Sequence, residues 1–224
     1  MPAPGRPRND SFHSMVSRAL SAWLRMCLAQ PTSELSAWLR NRPDKLGGML
    51  PRDADRFLSG ESIPSFEKLK ALEEVAPGLV EISMWPWRAL DPECNGEKAL
   101  TNWEAVMAGS DASEPPAFPS SVAKNRPKEA AANAHAWKMA RRFFRTLVSL
   151  RRATNDRAYP DTCSCAFRLI KDYGNALVHP AIFDQEQEVF RLVKRLVLER
   201  FECAPHTALL LSECARRHSL ESGQ

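Results

Sequence analysis

The sequence predicts an all-α protein, and three observations carry the prediction. Apolar residues recur at i, i+3, i+4 and i+7 in one segment after another, the stripe of helices that each bury one face. No segment sustains the period-two alternation of a half-buried strand. Seventeen prolines against nine glycines punctuate helices rather than mark tight hairpins. The 224 residues suffice for one large or two small domains, and 44% hydrophobic with 26% charged residues is ordinary for a globular chain. This composition excludes a wholly disordered chain, a fibrous repeat and a minimal disulfide scaffold. No stretch approaches the length of uncharged apolar chain that a membrane span needs. Met1 to Phe12 lack the apolar segment of a secretory signal, so a cytoplasmic location is expected. The six cysteines are then expected as reduced thiols.

The first helix is expected over 11–29, where Phe12, Met15, Val16, Ala19, Leu20, Trp23, Leu24 and Cys27 hold helical spacing. Asp10 or Ser11 can cap its start, and Pro31 forbids its continuation. Thr32 or Ser33 opens a shorter helix with Leu35, Trp38 and Leu39 on one side, closed by Pro43. After the Gly47-Gly48 loop, Pro51 can occupy the first turn of a helix ending near Leu58, with Gly60 as its stop. Pro64 and Ser65 open the next helix, whose apolar side is read as Phe66, Leu69, Leu72 and Val75 before Pro77-Gly78. The aromatic segment from Ile82 through Trp85 and Trp87 to Leu90 is expected to pack on these preceding helices.

Residues 109–128 contain four prolines, four serines and little apolar content, the composition of a linker. The reading therefore places an N-terminal domain at 1–108, a linker at 109–128 and a C-terminal domain at 129–224. A helix is expected over 129–153 with Trp137, Ala140, Phe144, Leu147 and Val148 inward. Another follows from Asp161 to Val178, with Ala166, Phe167, Ile170, Tyr173 and Leu177 inward. Asp184 and Gln187 suit a capping-box variant opening a helix with Val189, Phe190, Val193, Leu196, Val197 and Phe201. That apolar helix, over 184–202, is a candidate interface for a homodimer. A last helix is expected over 207–218.

Charge is uneven along the chain. Residues 1–60 hold 9 Lys/Arg and 5 Asp/Glu, 61–125 hold 5 and 11, and 126–224 hold 17 and 11. These give +4, −6 and +6, which sum to the formal charge of +4. An acidic middle between basic ends allows an anionic partner at either end. It equally allows unlike segments to neutralise each other within the fold.

Gly48, Gly60 and Pro64-Ser65 stand twelve and then four positions apart, with Leu69 and Leu72 at core positions of the helix that follows. In this spacing the stretch 48–72 resembles the helix-turn-helix domain of the phage-repressor/Cro type. The surrounding 32–90 region, with Pro77-Gly78 and the tryptophan segment, resembles a variant of that domain in uncharacterised bacterial proteins. The resemblance implies an N-terminal helix-turn-helix-like domain followed by a C-terminal helical bundle. It implies that 51–58 is a recognition helix presented to a major groove, and that the protein binds duplex DNA as a transcriptional regulator, commonly as a dimer. Pro43 and Asp44 stand where the family carries a leucine and a small residue, so the turn before Gly48 is rebuilt.

On the recognition helix, Arg52 and Arg56 suit guanine edges or phosphates. Asp53 and Asp55 repel phosphates, which leaves a nearly neutral head. The most basic helix lies after the linker, with Lys138, Arg142, Arg145 and Arg152 on one face and Arg141, Arg151 and Arg157 flanking it. Of these, Lys138, Arg141, Arg142, Arg145 and Arg152 are candidate phosphate contacts. The alternative is a solvated face neutralised by the acidic middle segment. Cys163, Cys165, Cys203, His206, Cys214 and His218 include enough thiols and imidazoles for zinc, but their spacings are loose, and no metal or cofactor is expected. No phosphate loop, nucleophile elbow or zinc-protease motif is present, so no enzyme activity is expected. Two functions remain: a DNA-binding regulator, and a protein–protein interaction module that keeps the fold without touching DNA.

Overall fold

The computed structural model describes residues 11–28, 32–41, 50–94, 96–116, 127–155 and 162–200. Among them every regular element is helical, as the apolar spacing predicts. In chain order these are α1 (Ser11–Leu28), α2 (Thr32–Arg40), α3 (Pro51–Leu58), α4 (Phe66–Glu73) and α5 (Leu79–Met84). A 3₁₀ turn (Trp87–Leu90) is followed by α6 (Glu97–Ala112), α7 (Pro127–Asn155), α8 (Thr162–Ala176), α9 (Pro180–Phe183) and α10 (Glu186–Arg200). No described helix is long and apolar enough to cross a membrane.

The chain forms two compact units, Met1–Met84 with Pro115–Ala134, and Trp85–Glu114 with His135–Gln224. This division differs from the one read at 109–128. Helix α6 continues through Ala112 and α7 already begins at Pro127, so helix occupies both edges of the expected linker.

In the first unit α1 is the spine. Its Phe12, Met15, Ala19, Leu20, Trp23, Leu24 and Cys27 are buried, as are Leu35 and Leu39 of α2, Ala54 and Phe57 of α3, and Leu69 and Leu72 of α4. Polar groups of α1 fix the turns around this core. Ser17 Oγ lies 3.0 Å from the Phe57 carbonyl and 2.7 Å from that of Ser62. His13 Nε2 accepts the Ile63 N–H at 3.3 Å, and Trp23 Nε1 donates to the Pro77 carbonyl at 2.9 Å. Glu73 receives the Gly78 and Val80 amides at 2.6 and 2.8 Å, satisfying donors that the first turn of α5 leaves open. Burial, aided by the Glu73 charge, pushes the Cys27 thiol up to about 12.

Gly60 ends α3 in a Schellman turn. Its φ is +83°, its amide donates to Phe57, and the Glu61 amide donates back to Arg56. A Cβ here would stand 2.9 Å from Arg18 Cγ on α1. Gly60→Ala therefore combines left-handed strain with a close contact. It is expected to cost about 1–3 kcal/mol, read as a lowered urea midpoint at unchanged slope.

Two expectations in this unit are corrected. Phe66 is 49% exposed rather than inward, because α4 begins at Phe66 after its cap Ser65 and the ring lies under the Lys70 ammonium, 4.7 Å from its centroid. The aromatic segment is divided: Ile82, on α5, is buried in the first unit as expected, whereas Trp85 and Trp87 are core residues of the second unit.

There, Trp85 lies 5.3 Å from Trp137, 5.0 Å from Phe144 and 5.1 Å from His179, while Trp87 lies 4.9 Å from Phe144 (ring centroids). His179 is fully buried and caps α9 by accepting the Ala181 amide on Nδ1 at 3.2 Å. Asp184 closes α9 instead of opening α10. Along α10, Val189, Leu192, Val193, Leu196 and Val197 are buried within the chain, while Leu198 is 41% exposed. Phe167, expected inward on α8, is 49% exposed.

Candidate functional site

The short helix α3 meets the local demands of its sequence. Pro51 occupies the first turn, Leu50 holds the extended cap position, and Ala54 and Phe57 point into the core. Arg52 is exposed and has no ion-pair or hydrogen-bond partner among the described residues. The other charged groups of the helix are engaged. Arg56 Nε lies 3.7 Å from Glu61, Asp53 lies 3.8 Å from the Lys68 ammonium, and Asp55 accepts from Ser36 Oγ at 2.8 Å. A cavity of about 210 Å³ opens beside its C-terminal half, lined by Asp53, Arg56, Ser62, Ser65 and Lys68. Charges of both signs line it, so the head of this unit stays close to neutral. Gly48 and the turn ahead of α3 lie outside the described residues.

The cations expected along α7 divide sharply by environment. Arg141 is buried, and its guanidinium donates to the Ser113 carbonyl at 2.8 Å, to Ser113 Oγ at 3.1 Å and to the Glu114 carbonyl at 3.4 Å. It staples the end of α6 and is closed to a phosphate. Arg142 Nε lies 2.8 Å from Asp172 Oδ1, a carboxylate with no exposed surface whose second oxygen accepts the Thr146 hydroxyl at 2.7 Å. Arg145 pairs with Asp111 at 3.1 Å, and Arg152 pairs with Glu104. Lys138 alone of the row is exposed with no carboxylate partner among the described residues. The buried Arg151 donates to the Cys94 carbonyl.

Two of the answering acids, Glu104 and Asp111, come from the acidic middle segment, on the α6 helix that sequence inspection did not recognise. Its signal was available, because Leu100, Trp103 and Met107 keep i, i+3, i+7 spacing. Cations that sequence reading passed over, Arg168 and Lys171 on α8, are exposed and have no carboxylate partner among the described residues.

No group of three or more His, Cys, Asp or Glu able to hold a metal occurs among the described residues. The Cys163 side chain and Cys203, His206, Cys214 and His218 lie outside them. No protein-family model, curated protein or solved structure matches the chain.

Proposed function

We propose that this chain is a helical protein–protein interaction module that does not bind DNA, with a helix-turn-helix-like N-terminal unit. One observation carries the reading. Of the seven cations expected to meet DNA, Arg56, Arg141, Arg142, Arg145 and Arg152 are engaged by groups of the chain itself. Phosphate binding draws its affinity from releasing counterions around free cations. A cation already held by a carboxylate must break that pair first, and the carboxylate left behind then repels the phosphate. Arg52 and Lys138 remain, too few for the steep salt dependence of a regulator.

The competing reading, a DNA-binding transcriptional regulator, depends on Arg52 at the start of α3. Fluorescence titration of the full chain with a long duplex at low salt separates the two. No saturable association is expected, and Arg52→Ala with Arg56→Ala should change nothing. Salt-sensitive binding lost on those substitutions would replace this reading with the DNA one.

A further inference from the structure

Helix α8 buries Ala166, Leu169, Ile170, Asp172, Tyr173 and Ala176 and leaves one face to solvent. At about 100° per residue, Phe167, Lys171 and Gly174 fall within about 60° of each other, flanked by Arg168 and Asn175. Phe167 is 49% exposed, and Val178, just past the helix, is 55% exposed. The face carries no acid, since Asp172 is turned inward. Elsewhere in this unit five exposed arginines are answered by the chain's own carboxylates: Arg142 by Asp172, Arg145 by Asp111, Arg152 by Glu104, Arg191 by Glu188 and Arg195 by Glu93. Arg168 and Lys171 have none among the described residues.

Gly174 adds an independent observation. Glycine is among the poorest helix formers, and a Cβ at this position would meet nothing within 4 Å. The fold thus gains nothing from the missing side chain. A second backbone approaching closely would.

We propose that this α8 face docks an acidic amphipathic helix of another protein, crossing α8 at Gly174. Its apolar side chains would cover Phe167 and Val178, and its carboxylates would meet Arg168 and Lys171. A second copy of this chain does not fit, because pairing the face with itself sets Arg168 and Lys171 against like charges. Phosphates would suit the cations but leave Phe167 and Val178 in water. The proposal rests on the interaction-module reading and gives it a surface and a partner chemistry.

The test uses the full chain and a small panel of synthetic helical peptides, with leucines at i, i+4, i+7 and i+11 and glutamates elsewhere, followed by fluorescence anisotropy. At least one peptide should bind saturably, and a scrambled peptide of equal composition should not. Gly174→Leu should weaken binding about tenfold or more without lowering the melting temperature, and so should Arg168→Glu with Lys171→Glu. Gly174→Ala should raise the melting temperature and still weaken binding. Failure of every peptide to bind, or binding indifferent to these substitutions, overturns the proposal. Duplex DNA is titrated in parallel. Salt-sensitive DNA binding lost in the Arg52/Arg56 variant, with peptide binding unaffected, would overturn the interaction reading and leave the α8 face standing. DNA binding lost in the Arg168/Lys171 variant would overturn the face as a protein site.

Discussion

Arg142→Ala is expected to destabilise the second unit by about 3–5 kcal/mol, far more than either neighbouring arginine truncation. The reason lies on the other side of the pair. Asp172 has no exposed side-chain surface, and Arg142 Nε sits 2.8 Å from its Oδ1. Without the guanidinium, the Thr146 hydroxyl at 2.7 Å is the one group left among the described residues to stabilise a charge sealed between α7 and α8. The reverse substitution is milder. Arg142 is 47% exposed, so after Asp172→Asn it can turn to water while the amide oxygen keeps the Thr146 contact. That change should cost about 1–2 kcal/mol, and the double variant should resemble Asp172→Asn rather than the sum. The Arg145–Asp111 and Arg152–Glu104 pairs are solvent-exposed, and truncating either arginine should cost about 0–1 kcal/mol. Urea denaturation at neutral pH reads all five proteins. Equal losses for Arg142, Arg145 and Arg152 would show that Asp172 is not stranded and return Arg142 to the pool of surface cations.

Why α7 read as a phosphate-binding face follows from the same geometry. A sequence shows a helix its own side chains but not the side chains set opposite it. Spacing places Arg142, Arg145 and Arg152 on one face, and they do lie there, exposed. Their partners Asp172, Asp111 and Glu104 come from α8 and α6, and nothing local announces the pairings. Two residues were nevertheless legible. Arg141 lies four residues after Trp137 and three before Phe144, inside the apolar stripe. Asp172 lies three after Leu169 and four before Ala176, inside another. A charge within such a stripe is buried and needs a partner, which both have. The helix ends were read more successfully, because their causes are local. Pro51 at the first turn, Gly60 in the left-handed region and Ser65 as a cap depend on backbone sterics and amide donors within a few residues. The placement of Trp85 depends on Trp137, Phe144 and His179, fifty and more residues away.

Acidification should unfold the second unit through His179. The imidazole has no exposed surface and lies edge-on to Trp85 and Trp137, 5.1 and 4.8 Å away by ring centroids. Its Nδ1 accepts the Ala181 amide, so the neutral ring carries its hydrogen on Nε2. Protonation would place a second hydrogen on Nδ1, against an N–H that already points at it. Indole faces attract a cation, which offsets part of this cost. Burial outweighs that attraction and lowers the histidine from 6.5 to about 3. The unfolded chain therefore takes up a proton near 6.5 that the folded chain refuses until about 3. Stability from this group is complete above about pH 6.5 and falls by about 1.4 kcal/mol per pH unit below it, approaching 5 kcal/mol near pH 3. Carboxylates titrate in the lower part of that window, so the discriminating range is pH 6.5 to 5. His179→Asn supplies a capping oxygen that does not titrate. The variant should be less stable at pH 7, having lost the ring contacts, yet it should lose less on acidification. Over that range the wild-type curve should fall by about 2 kcal/mol more than the variant's. If the two curves run parallel, the proton is taken up elsewhere, and the imidazole is not held neutral by its burial among the tryptophans.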